Sequence, residues 1–261
     1  QFGDNFRADL GFIPQVGYRD LNGFFALRFF PEHSKIAFLR TSVAYDHQND
    51  LHGNTLLSGP NIGAFAIGVH NLNVQVNLHP EEHVLFGTQQ FKQSYANWFL
   101  QIDPSRHVTR LSLQGRIGEA IDFTNRVVGK GASVQATAIF RPIDRTTFEV
   151  DSNHEVQRNY GANVYTAQVE RIRALYSFSA NSIIRVIGQY NDVNRHLDQY
   201  PGIPLPQHSG AFLGSLLYSY KLNWQTVLYL GYGDDRVLTE QNDLLKQDRS
   251  LFFKVSYAIQ R

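Results

Sequence analysis

The chain has 261 residues and a formal net charge of +1, from 24 Lys and Arg against 23 Asp and Glu. The basic residues are scattered rather than clustered, which removes the electrostatic case for nucleic-acid binding. Cys is absent, so neither a disulfide framework nor a thiolate metal site can form, and no run approaches the ~18 consecutive apolar residues that a transmembrane helix requires.

In chain order, alternation at period two predicts about 14 strands (range 12–16), an even-numbered set of the kind found in bacterial barrels. They fall near residues 6–13, 18–30, 35–47, 55–69, 72–79, 92–103, 107–119, 130–141, 145–157, 162–177, 183–193, 209–220, 225–234 and 248–260. In the fifth, Leu72, Val74, Val76 and Leu78 interleave with Asn73, Gln75, Asn77 and His79; in the seventh, Leu111, Leu113 and Ile117 interleave with Arg110, Ser112, Gln114 and Arg116. Successive side chains on a strand point to opposite faces, so each segment has one apolar and one polar face. The strand at 225–234 is apolar on both, through Val227, Leu228, Tyr229 and Leu230. Tight turns are expected at Asp103-Pro104-Ser105, at Arg141-Pro142-Ile143-Asp144, around Asn181 and at Lys221-Leu222-Asn223-Trp224. Residues 80–91 carry the weakest strand pattern, and Pro80 reads as a turn.

The pattern gives an all-β fold: a single antiparallel transmembrane β-barrel over 1–261, with a lipid-facing exterior and a polar interior. A soluble β-sandwich would also alternate, but long strands, an aromatic content of 13% and alternating loop lengths favour the barrel. The negative mean hydropathy of -0.30 is compatible, because only every second strand residue meets lipid. By the same logic the connections at 103–106, 141–144, 178–182 and 221–224 are periplasmic and those at 120–129, 158–161, 194–208 and 235–247 face outward. The last strand should close on the first, with Phe253, Val255, Tyr257 and Ile259 toward lipid and Lys254, Ser256 and Ala258 inward. Trp98, Trp224, Tyr176, Phe178, Tyr218 and Tyr220 should form two aromatic girdles. Beginning at Gln1 without a leader, the chain reads as a mature form or as the C-terminal part of a longer one.

Arginine on a lipid face near the midplane costs ~2–4 kcal/mol. Arg28, Arg40, Arg110, Arg116, Arg185 and Lys254, with Glu149 and Asp151, are therefore the expected lumen-lining set. They either tune a pore or brace the interior through salt bridges, and their mixed signs favour bracing. An interior filled by Phe24, Phe30, Phe99 and such pairs would suit an anchor, a continuous water path a channel. His208-Ser209 and His33-Ser34 cannot form a nucleophile–base pair, since strand neighbours point to opposite faces. His79, Glu81, Glu82 and His83 lack a zinc spacing, and Asp234, Asp235, Glu240 and Asp243 read as a solvated loop rather than a calcium site. No catalytic, metal or cofactor site is assigned. In the 194–208 loop, prolines at 201, 204 and 206 should present Tyr200, Ile203 and Leu205 for contact, or else cap the barrel mouth.

Three segments carry a family likeness: Phe6-Arg7-Ala8-Asp9-Leu10-Gly11-Phe12-Ile13-Pro14; Arg171-Ile172-Arg173-Ala174-Leu175-Tyr176-Ser177-Phe178 with Ile184-Arg185-Val186-Ile187-Gly188-Gln189-Tyr190-Asn191; and Thr226-Val227-Leu228-Tyr229-Leu230-Gly231-Tyr232 with Phe253-Lys254-Val255-Ser256-Tyr257. They resemble the C-terminal outer-membrane β-barrel domain (domain of unknown function 5916) of bacterial proteins carrying a family 9 carbohydrate-binding-like module. The resemblance implies an outer-membrane location and a larger parent chain, and no activity. The expectation is therefore a non-enzymatic bacterial outer-membrane barrel acting as a membrane anchor or docking component of a surface or periplasmic assembly. Its partners would be outer-membrane lipid and lipopolysaccharide, with an envelope protein as a further possibility. A porin-like channel for small solutes is the alternative, and a lipid-modifying enzyme with a Ser or His at the membrane rim a third class.

Overall fold

The computed structural model describes residues 16–239 and 243–258. Every regular element but two single turns of 3-10 helix (Val69–Asn71 and Leu197–Gln199) is a strand. The strands are β1 (Tyr18–Phe29), β2 (Ile36–Asp50), β3 (Thr55–Gly68), β4 (Asn73–Phe86), β5 (Gln89–Ile102), β6 (Val108–Asp122), β7 (Val127–Phe140), β8 (Thr146–Asn159), β9 (Ala162–Ser179), β10 (Ser182–Arg195), β11 (His208–Lys221), β12 (Thr226–Leu238) and β13 (Leu244–Tyr257). They form one 13-stranded antiparallel sheet in chain order. The strand expected at 6–13 lies outside the described residues, as do Ile259 and the closing partner expected for β13.

Two compact units are distinguished, residues 1–100, 115–132 and 157–161, and residues 101–114, 133–156 and 162–261. In the first, β1 pairs with β2 from Tyr18↔Asp50 to Phe29↔Leu39, and β2 with β3. In the second, β9 to β13 pair in succession, with Ile187↔Ser215, Ser215↔Gly233 and Gly233↔Ser250 marking one continuous row.

Two expectations need correction. Residues 80–86 are strand, not turn: β4 runs through Pro80 to Phe86. The β3–β4 ladder passes Pro80 by skipping from Ser58↔His83 to Ile62↔Leu78, which leaves one extra residue on β4. Prolines that cannot donate, Pro60 and Pro80, sit within this bulge, where no ladder bond is lost. The expected alternation of loop lengths is also mostly absent. Among the described residues only 196–207 is a long connection, because β8 runs on to Asn159, β12 to Leu238, and β13 starts at Leu244. The loop signal failed here because polar residues at strand ends lie beyond the apolar band yet keep their ladder bonds.

A second irregularity lies in β6. Gly118 has φ +137°, and a Cβ there would stand 2.6 Å from the Ser94 carbonyl oxygen and the Tyr95 Cα. The Ser94 N–H opposite donates not to a carbonyl but to the Glu119 carboxylate (2.7 Å), which fills the gap in the ladder. Gly118→Ala is expected to lower the unfolding stability by about 2 kcal/mol through combined clash and strain. An unchanged urea midpoint would contradict that reading of the turn.

Candidate functional site

Sorting side chains by register separates two faces in each unit. In the second unit one face carries Leu228, Leu230, Tyr232, Leu216, Tyr218, Ile184, Val186, Leu251, Phe253 and Val255 in register-matched rows. Leu251, Phe253 and Val255 are 75%, 67% and 55% exposed. In the first unit the equivalent phase carries Leu21, Phe25, Leu27, Val43, Tyr45, Ile62, Val76 and Leu78, all exposed. Among the described residues only Phe91, Val164, Tyr200 and Leu238 are buried hydrophobics. The sheet thus leaves many of its large apolar side chains exposed, unlike a packed core.

Five of the six rings expected as two girdles share one end of the second unit. Tyr176, Phe178, Tyr218, Tyr220 and Trp224 lie at the turn end of the second unit, and Tyr176 packs edge-on against Phe178 (centroids 4.8 Å). Trp98, in the first unit, lies toward the C-terminal end of β5. At the other edge of the second unit's apolar band stand Tyr190 and Phe212, which are register partners, with the Phe212 ring lying over Gly188 and Gly214. From Tyr220 to Phe212 the strand rises ~27 Å at ~3.4 Å per residue.

All eight expected lumen-lining residues lie on the opposite, polar face of their units. In the first unit, Arg28 and Arg40 are direct cross-strand partners, and Arg40 stacks over Phe65 (5.1 Å). Phe30 packs on Phe38, and Phe38 on Phe65. Arg116 lies 3.8 Å over the Tyr95 ring, and His79 stacks on that ring at 4.4 Å. The two flank β5 from β6 and β4, so Tyr95 is held between them. Tyr95 Oη and Gln93 Nε2 both donate to the Glu82 carboxylate (2.9 and 2.6 Å), and Arg116 donates to Gln93 Oε1 (3.0 Å). The bulge at Pro80 makes this cluster possible, because it returns Glu82 to the face that holds His79. Glu81 and His83 consequently pair with each other on the other face, with Lys92 2.8 Å from Glu81.

In the second unit, Arg171 donates through Nε and Nη2 to one Asp151 oxygen (3.0 and 2.7 Å), and Arg173 reaches Glu149 (3.1 Å). Thr137 donates to the other Asp151 oxygen (2.8 Å), and Arg110 lies 3.8 Å from Asp103. Arg171 and Arg173 went unassigned in the sequence reading, although they share the phase of Arg185. Farther along this face an open groove of about 520 Å³ runs between Arg185 and Asp235, walled by Leu213, Leu217 and Phe252. Lys254 stands opposite Tyr229 at the turn end.

Sequence reasoning also missed Ser152, His154 and Glu170, which the β8–β9 hairpin gathers on the apolar phase near the loop end. Ser152 Oγ (3.1 Å) and Glu170 Oε1 (2.9 Å) both approach His154 Nε2, and Ser152 donates directly to Glu170 (2.9 Å). A relay needs the acid on one ring nitrogen and the hydroxyl on the other. Here a single nitrogen faces both, so the trio is a hydrogen-bonded cluster. His208 pairs with Asp192 across β10 and β11, while Ser209 points to the other face. Asp234 and Asp235 likewise fall on opposite faces, Asp243 receives no shared ligand geometry with them, and Glu240 lies outside the described residues.

The long loop differs from expectation in one residue. Tyr200 is buried rather than presented, whereas Ile203 is exposed and Leu205 half-buried. The loop folds back on β9 through His196 N–H to the Val164 carbonyl, and Arg195 holds the Pro206 carbonyl. Burying Tyr200 hides an apolar ring that would otherwise be ordered in water.

Comparison with protein-family models, curated proteins and solved structures gave no match to this chain. In a double-mutant cycle, Asp151→Ala and Arg171→Met are expected to couple by about 1 kcal/mol or more, as a bidentate, half-buried ion pair should. Additive effects would remove the bracing role.

Proposed function

We propose that the chain is a bacterial outer-membrane β-barrel that acts as a membrane anchor or docking component and performs no catalysis. The observation that carries this reading is the exposed apolar band of β9 to β13, bordered by Tyr176, Phe178, Tyr218 and Tyr220 at one edge and by Tyr190 and Phe212 at the other. Water gives such a surface no reason to persist, and lipid does. Backbone groups at β1 and β13 require partners inside a bilayer, so in this reading the sheet closes. The likeness to the domain of unknown function 5916 barrels points the same way.

The anchor is favoured over a porin-like channel by the pairing of charges on the polar face of the second unit. Arg171, Arg173, Glu149 and Asp151 are tied to one another. A charge ring that selects solutes would leave its charges unpaired.

Reconstitution in outer-membrane lipid tests the reading. Leu230→Arg should cost about 2–4 kcal/mol of folded stability in the bilayer, while Ser215→Arg on the polar face should cost under about 1 kcal/mol. Vesicles carrying the protein should show solute permeation near that of empty ones. Equal costs for the two substitutions would refute the membrane assignment, and rapid sugar permeation would move it to the channel.

A further inference from the structure

At the upper edge of the apolar band, in the rows of Gly214 and Phe212, the same face of β12 and β13 carries a tight group of charges. Asp234 is buried and accepts from Arg236 Nε (2.7 Å) and Nη2 (3.3 Å), from Arg249 Nε (2.8 Å) and from Tyr232 Oη (3.2 Å). Arg236 and Lys246 are register partners, which adds a third cation beside the pair. Lys246 is exposed and makes no ion pair among the described residues. Asp234 thus pairs with two of the three cations, and the patch has a surplus of two positive charges. Asp192, on the same face of β10, is occupied by His208.

Asp234 acts as a post. It fixes both guanidinium groups by their Nε edges, and among the described residues the Nη groups of Arg249 and Nη1 of Arg236 take no partner. Two guanidinium groups sharing one carboxylate stand within a few ångströms of each other, a spacing suited to the oxygens of one phosphate. Directly below, on the same two strands, Tyr232, Leu230, Leu251 and Phe253 are accessible. The surface is therefore two-part, with cationic donors above and an apolar wall beneath. That pairing matches an amphiphile with a phosphate head and acyl chains better than a soluble anion, for which the wall would have no use.

We infer that Arg236, Arg249 and Lys246 form a clamp for the phosphate of an anionic lipid, with its acyl chains lying along Leu230, Leu251 and Phe253. The inference rests on the membrane reading above. In that reading the end bearing the 196–207 loop faces outward, so the lipid is a phosphorylated saccharolipid of the outer leaflet.

The test uses the full chain, purified in a non-ionic detergent and offered bisphosphorylated lipid A, dephosphorylated lipid A, phosphatidylglycerol or inorganic phosphate, with retained ligand counted by native mass spectrometry. The wild-type protein should retain bisphosphorylated lipid A at least tenfold better than the dephosphorylated form or phosphatidylglycerol. Arg236→Gln with Arg249→Gln should remove most of that difference, and Lys246→Gln, which leaves Asp234 paired, should reduce it several-fold. Displacement by millimolar inorganic phosphate alone would mark a free-anion site and overturn the proposal. Equal retention by the double variant, or equal retention of dephosphorylated lipid, would also overturn it. Insertion of every variant into bilayers, read from Trp224 fluorescence, is measured alongside. Insertion without selective retention defeats the clamp alone, whereas failure of the wild-type protein to insert defeats the membrane reading and the clamp together.

Discussion

Backbone hydrogen bonding and side-chain burial make separate demands on a sheet, and here only one of them is met from within the described chain. Each interior strand pairs on both sides, so the ladder satisfies its own donors and acceptors. The apolar phase has nothing to cover it: four hydrophobic residues are buried while Leu21, Leu251 and Phe253 stand at 71%, 75% and 67% exposure. Everything else in the account follows from this imbalance. In the reading proposed above, the medium that covers such a face between its bordering rings is a bilayer.

On the polar face several charged side chains find partners, while Arg28, Arg185 and Lys254 stay exposed. The pairing differs between units. In the second unit the acids of β8 stand beside the arginines of β9, a direct pairing of opposite charges. In the first unit Arg40 and Arg116 lie over aromatic rings, and Arg116 adds amide and carbonyl acceptors. Cation–π contact lets a ring do part of the work of an acid where β-strand register supplies none. Two local faults in the ladder are needed to assemble the first-unit cluster: the bulge at Pro80, which redirects Glu82, and Gly118, which lets Glu119 reach the Ser94 N–H.

These faults mark the boundary of what the sequence revealed. Alternation placed the described strands to within a few residues, and it assigned Arg28, Arg40, Arg110, Arg116, Glu149, Asp151, Arg185 and Lys254 to one phase, because a period of two propagates unless a residue is inserted. It could not carry past Pro80, where the inserted residue exchanges the faces of everything beyond it. The polar ends of β12 and β13 read as loop because Asp234, Asp235 and Arg236 break the apolar pattern, although their ladder continues. Ser152, His154 and Glu170 were invisible as a group, since a cross-strand neighbour is fixed by register rather than by spacing. Tyr200 was assigned outward from its prolines, and the return of the loop onto β9 is a tertiary fact no local signal contains.

The central claim is that one phase of the strands meets lipid and the other does not. The absence of cysteine makes each introduced label unique. Single cysteines placed in turn at residues 227 to 232 and 249 to 254, spin-labelled in reconstituted bilayers, report access to oxygen and to a water-soluble nickel chelate. The account predicts that oxygen access peaks at 228, 230, 251 and 253 and that chelate access is confined to 227, 229, 252 and 254. Chelate access that is high and equal at both phases would contradict it.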